Sequence, residues 1–177
     1  MPNAECQMPY ILTNLSHALP GMPLASWWLV PVVLFLLGTL AIVDAFTSKV
    51  PDPVILPCLL LITAAEGYYV DWPFAGVNLL IALAAGFAIF LLNEVWFRTT
   101  KRDAIGMGDA KWTMIAVQAF GILPSLIAWG VGAVLAIIWM GGARIAKRPI
   151  TRVHFAPFLF VGLLAGIWWL RLRVAGS

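Results

Sequence analysis

The chain has little charge and almost no cysteine, and both shortages exclude large classes of protein. Only 11% of its 177 residues are charged, whereas 62% are hydrophobic. A soluble domain of this length could not cover several uncharged runs of about 17 or more residues, each long enough to cross a membrane. The two cysteines, Cys6 and Cys58, form no C-x-x-C pair, so we expect neither a zinc site nor a disulfide framework. The composition predicts an integral membrane protein.

Basic residues are missing from the start of the chain. Residues 1–25 contain no Lys or Arg, so they lack the basic region that opens a cleavable signal peptide. No basic patch with interleaved aromatic residues occurs, which argues against a nucleic-acid partner. We predict that residues 1–25 form an external N-terminal tail and that residues 26–173 form a single transmembrane domain.

Apolar segments separated by polar loops predict an all-α fold, a bundle of about six transmembrane helices. The fourth helix should start at or before Asp109 and is short for a crossing at 1.5 Å per residue, so it needs thinned or protein-lined surroundings. The nine tryptophans are expected at the membrane interfaces. Small residues at eight positions predict close helix packing: Gly38, Ala82, Ala85, Gly86, Gly130, Gly132, Gly162 and Gly166. The other expected helices are 26–43, 53–69, 74–97, 125–142 and 154–170, with a loop at 45–52, a turn at 70–73 and an outer turn at Pro124.

The basic residues orient this bundle. Nine of the eleven lie in or beside the loops that follow the first, third and fifth helices: Lys49; Arg98, Lys101, Arg102 and Lys111; and Arg144, Lys147, Arg148 and Arg152. Because cytoplasmic loops carry an excess of Lys and Arg, these three loops are predicted to face the cytoplasm. Asp44, at the end of the first helix, and Asp109, at the start of the fourth, then lie on the cytoplasmic side.

Two carboxylates at one end of a membrane bundle are a candidate catalytic pair. Neighbouring carboxylates cannot both ionise freely, so they tend to share one proton. Such a pair supplies a base that activates water and an acid that protonates a carbonyl or a leaving nitrogen. Gly106 and Gly108, beside Asp109, are expected to permit unusual backbone angles and to let a substrate backbone approach closely. This chemistry requires neither a metal nor a cofactor.

The motifs around these aspartates are similar to those of the prepilin peptidases, the GxGD-type membrane aspartic peptidases of type IV pilus and secretion systems. The family motif G-x-G-D-x-K appears as Gly106-Met107-Gly108-Asp109-Ala110-Lys111. The family's first motif appears as Asp44 followed by Lys49-Val50-Pro51-Asp52, and its P-F segment as Phe155-Ala156-Pro157-Phe158-Leu159. Asp52 stands where many members have asparagine.

The resemblance implies a membrane aspartic endopeptidase in the bacterial inner membrane. Its partner would be a prepilin or pilin-like substrate, whose basic leader is cut after a glycine at the cytoplasmic face. Asp44 and Asp109 would be catalytic, with Gly106, Gly108 and Lys111 as supporting motif residues. Lys49, Pro51 and Asp52 are expected to contribute to substrate binding. The sequence resembles the short, peptidase-only branch, so no methyltransferase activity is expected, and the oligomeric state stays open.

Other functions remain open at this stage. A non-enzymatic scaffold or small transporter of a secretion or pilus system would use the two acids to relay protons or to fix helix packing. A presenilin-like protease is disfavoured because Val43 precedes Asp44, where that group has tyrosine, and no Pro-Ala-Leu motif occurs near the end. His154 is interpreted as an interfacial residue. Both aspartates could also be simple helix caps.

Overall fold

In a computed structural model, the chain is described over residues 29–47, 52–101, 106–146 and 154–175. These residues form six helices and no strand, which confirms the predicted all-α membrane fold. The expected tail, with Lys49 and Pro51, lies outside the described residues. The helices are α1 (Leu29–Thr47), α2 (Asp52–Tyr69), α3 (Trp72–Thr100), α4 (Met107–Phe120), α5 (Ile122–Ile145) and α6 (Ala156–Ala175).

Apolar length determines which of these helices can cross a membrane. Helices α1, α3 and α5 each contain a span long and apolar enough to do so. Helices α2 and α6 contain shorter apolar stretches, 53–69 and 156–169. Large apolar side chains such as Phe35, Leu61 and Ile138 point outward and are exposed, as suits a protein surrounded by lipid.

Helix α4 is the centre of the bundle. It packs against all five other helices, and nine of its fourteen residues are buried. At 1.5 Å per residue it is only about 20 Å long, short of the roughly 30 Å hydrocarbon core. The other helices therefore provide the protein-lined surroundings that the sequence predicted for it.

Helix α5 packs closely against α6 because glycines remove side chains from their contact. A Cβ atom added at Gly132 would lie 3.2 Å from the backbone of Phe158, and one at Gly162 would lie 2.5 Å from the carbonyl oxygen of Ala128. The prediction of close packing is confirmed there. It is wrong at Gly130, where an added Cβ would meet open space.

Several predicted boundaries are wrong, each for a local reason. The expected loop at 45–52 is wrong at both ends, because α1 continues to Thr47 and α2 begins at Asp52. The Thr47 hydroxyl donates a 2.8 Å hydrogen bond to the Val43 carbonyl. Helix α3 starts at Trp72 because a proline at the next position is tolerated in a first turn, so the expected turn at 70–73 shortens to two residues. It extends to Thr100, where Lys101 closes it in a left-handed conformation.

The outer turn before α5 is at Gly121 and not at Pro124. Gly121 has a φ of 83°, which glycine adopts without strain. Pro124 is the third residue of α5, where a missing amide donor costs little. Consequently α4 ends at Phe120 and α5 begins at Ile122. The other bounds also differ, because α5 covers 122–145 and not 125–142, and α6 covers 156–175 and not 154–170.

Candidate active site

Asp44 is directed into the bundle by the buried face of α1. Val33, Leu37, Leu40 and Ala41 are buried at helical spacing, and Asp44 continues the same stripe with 8% of its surface exposed. A carboxylate in this position is costly within a membrane protein. Its place on the packed face, rather than the lipid face, brings it toward α4.

Asp109 lies in the first turn of α4, also buried. The carboxylates of Asp44 and Asp109 are close enough to repel one another electrostatically. The two candidate residues, 65 positions apart in the chain, therefore lie near one another at one end of the bundle.

Helix capping orients the Asp109 carboxylate. Gly106 is the residue before the helix, and its backbone N–H donates a hydrogen bond to the Asp109 side chain. This is one half of a capping box, in which the third helical residue reaches back to the cap. The other oxygen, Oδ1, is buried and has no hydrogen-bond partner among the described residues. Capping thus holds one oxygen of Asp109 and leaves the other available for chemistry.

Gly106 contributes through its missing side chain. A Cβ atom at this position would lie 3.1 Å from Oδ2 of Asp109. Its φ of −65° and ψ of 139° are ordinary extended values, and Gly108 does not have a positive φ. The expectation that these glycines permit unusual backbone angles is therefore wrong. Gly106 instead leaves space for the carboxylate.

Two indole groups fix the first turns of α4. The Trp112 Nε1–H donates a 3.1 Å hydrogen bond to the Leu37 carbonyl of α1. The Trp129 Nε1–H of α5 donates a 3.0 Å bond to the Thr113 hydroxyl, which itself donates to the Asp109 carbonyl at 2.7 Å. The backbone of Asp109 is thereby tied to α5, and the adjacent turn to α1.

The interpretation of all tryptophans as interfacial residues is wrong for Trp112, which is fully buried. Trp112 follows Asp109 by three residues, so it lies one turn farther along the same helix on a similar face. This spacing is the feature of the sequence that could have predicted its burial.

His154 also lies nearer the site than the sequence suggested. It is half-buried just before α6 and interacts electrostatically with Asp44. The next residue, Phe155, packs against Trp129 with ring centroids 5.2 Å apart. The start of α6 thus approaches both aspartates, one through His154 and the other through Trp129.

Lys111 is not on the Asp109 face of α4. Two residues correspond to about 200° of rotation on a helix. Lys111 instead lines an apolar cleft of about 460 Å³ between α2, α3 and α4, together with Leu59, Leu83 and Met114. Asp52 is the first residue of α2, and its side chain lies outside the described part of the structure.

A second group of buried polar residues was not assigned a role from the sequence. Glu66 of α2, Asn78 of α3 and Gln118 of α4 are all buried, and the Glu66 carboxyl group accepts one hydrogen bond from each of the other two side chains. The sequence could have indicated this group, because polar side chains within apolar membrane segments are costly and so usually have polar partners. This group lies at the opposite end of α4 from Asp109.

The described residues contain no cluster of three or more His, Cys, Asp or Glu side chains that could hold a metal ion.

Comparison with known proteins gives one match. The profile of the type IV leader peptidase family matches residues 31–141, more than half of the chain, including Asp44 and the Gly106–Lys111 motif. The search of curated proteins and the search of solved structures found no significant match. The chain belongs to the type IV leader peptidase family and is a peptidase of the membrane.

Proposed function

We propose that the protein is an aspartic endopeptidase that removes the basic leader from prepilins or pilin-like precursors at the cytoplasmic face of a bacterial inner membrane. The observation that carries the proposal is the electrostatic interaction between the buried carboxylates of Asp44 and Asp109, which come from two separate helices at one end of the bundle. The Oδ1 atom of Asp109, which has no hydrogen-bond partner in the part of the chain that the structure describes, and the family membership support it.

In the proposed reaction the aspartate pair holds one proton. The ionised carboxylate takes a proton from water as the water oxygen attacks the scissile carbonyl carbon. The protonated partner gives its proton to the carbonyl oxygen, which yields a neutral tetrahedral intermediate. Collapse breaks the C–N bond, and a proton returns through the pair to the leaving nitrogen.

A cleavage assay tests this proposal. Membranes containing the protein are mixed with a pilin-like precursor, and the products are identified by N-terminal sequencing. The parent protein should expose a new N-terminus directly after the leader glycine. A precursor with that glycine replaced by a bulky residue serves as control and should be cut poorly. Uncut precursor across a panel of pilin-like substrates would contradict the proposal and favour a scaffold or transporter.

A further inference from the structure

The position of α4 along its own axis needs an explanation. The helix is short, and glycines stand at both ends, Gly106 and Gly121. If a helix slides along its axis within a membrane, its apolar side chains lose contacts with protein but gain equally apolar contacts with lipid. Apolar contacts therefore define the axial position of the helix only weakly. Directional hydrogen bonds define it better.

Such bonds hold α4 at two levels. Near Asp109, Trp112 bonds to α1 and Thr113 to α5. Six residues beyond Trp112, which is about 9 Å at 1.5 Å per residue, Gln118 bonds to α2. Its Nε2–H donates to Glu66 Oε2 at 2.8 Å and lies 3.3 Å from the Thr63 hydroxyl.

Glu66 is the centre of this second level. Its other oxygen, Oε1, accepts a 3.3 Å hydrogen bond from Asn78 of α3. One carboxyl group therefore joins α2, α3 and α4. Glu66 is 6% exposed and Gln118 fully buried, so water does not replace these bonds easily.

Holding three helices together with this cluster has a high energetic cost. A buried carboxyl group is costly in a membrane, and the Oε1 atom of Gln118 has no hydrogen-bond partner among the described residues. Apolar residues of similar volume often stabilise a fold as well as a buried polar group does. What they do not supply is a fixed register between helices.

We propose that Glu66 is a positioning residue for the reaction: by holding Gln118, it sets the axial register of α4 and hence the placement of Asp109 against Asp44. The inference rests on the proposed function. A slip of α4 by one residue moves Asp109 by about 1.5 Å. A misplacement of about 1 Å can lower a catalysed rate by about 100-fold.

Kinetics of matched variants test this role. Glu66→Leu and Gln118→Leu each remove the bond, whereas Glu66→Gln keeps a side chain of the same shape that can accept from Gln118. Both leucine variants should lower kcat at least tenfold and change KM by less than about twofold, because the substrate still binds. Glu66→Gln should keep kcat within about threefold of the parent. The Glu66→Leu/Gln118→Leu double variant should be about as slow as the slower single variant, because the bond between Glu66 and Gln118 is already lost in each single variant.

Two kinetic results would overturn the proposal. One is a parent-like kcat in the leucine variants. The other is a fall in kcat that matches a fall in the fraction of folded, membrane-inserted protein, because this would reveal only a structural role.

A readout independent of substrate separates this inference from the proposed function. The indole N–H resonance of Trp112 in ¹⁵N-labelled protein, identified by its loss in Trp112→Phe, reports the contact between α4 and α1. It should shift in both leucine variants and stay in place in Glu66→Gln. If the parent cuts no pilin-like precursor, the proposed function fails, but the Trp112 resonance still tests the role of Glu66. A shifted resonance in the leucine variants supports the proposal that Glu66 sets the register of α4, and an unshifted resonance overturns it.

Discussion

At the scale of single residues, the site depends on which oxygen of Asp109 is occupied. The cap contact with Gly106 engages one oxygen, and Oδ1 has no partner among the described residues. A capping role accounts for the oxygen of Asp109 that accepts the hydrogen bond from Gly106. It does not explain why the buried stripe of α1 directs a second carboxylate, Asp44, to the same place.

Gly106→Ala tests the space beside this carboxylate. Alanine adopts the observed backbone angles without strain, so the effect should come from the added Cβ, 3.1 Å from Oδ2 of Asp109. We expect a fall in kcat of about tenfold, smaller than the roughly 100-fold cost of a 1 Å misplacement. Gly130→Ala, which meets open space, is the control in the same cleavage assay. Equal rates for both variants would mean that the contact has no catalytic importance.

The sequence indicated the two aspartates as candidates, whereas it did not indicate their surroundings. Asp109 stands in a local motif, and Asp44 ends an apolar run, so both are recognisable from neighbouring residues. The bond from Trp112 to Leu37 spans 75 positions and depends on how α1 and α4 pack. No local pattern contains that information.

At the scale of helices, the arrangement follows from the central position of α4. A short helix is tolerated because its neighbours cover it, and those neighbours hold its two ends with polar contacts. The sequence predicted the helix and its short length. Two of the boundary errors arose at Pro73 and Pro124, because a proline is tolerated in the first turn of a helix as well as just after its end.

Gly162→Ala tests the packing of α5 against α6. Its Cβ would lie 2.5 Å from the Ala128 carbonyl oxygen, a backbone atom that cannot rotate away. Overpacking of this kind costs about 1–3 kcal/mol, so the free energy of unfolding should fall by that amount. Denaturation in mixed detergent micelles measures it. Gly130→Ala should leave the free energy of unfolding unchanged or raise it slightly, because alanine favours helix. An unchanged free energy of unfolding in Gly162→Ala would contradict the close contact between α5 and α6.

At the scale of the whole molecule, both aspartates and His154 lie at the end of the bundle where α1, α3 and α5 finish, and the Glu66 cluster lies at the other end. Nine of the eleven basic residues are in or beside the loops at the first end. The positive-inside rule therefore predicts that the candidate site faces the cytoplasm. Outward-facing apolar side chains cover the sides of the bundle.

Cysteine labelling tests this orientation. Ala146, exposed at the end of α5, should be cytoplasmic, and Val70, exposed between α2 and α3, should be external. Each is replaced by cysteine in a protein whose Cys6 and Cys58 are changed to alanine. A membrane-impermeant maleimide should label Val70→Cys in intact cells and Ala146→Cys only after the membrane is opened. The reverse pattern would place the site outside.

The central claim is that Asp44 and Asp109 act together as the catalytic pair. The most direct measurement compares kcat for precursor cleavage by Asp44→Asn, Asp109→Asn and the control Glu94→Gln, an acid that pairs with Arg98 on the same side of the bundle. Each aspartate variant should be inserted and folded but at least about 100-fold slower than the parent, the usual contribution of acid–base catalysis, and Glu94→Gln should match the parent. If either aspartate variant cleaves at the parent's rate, the catalytic pair is contradicted.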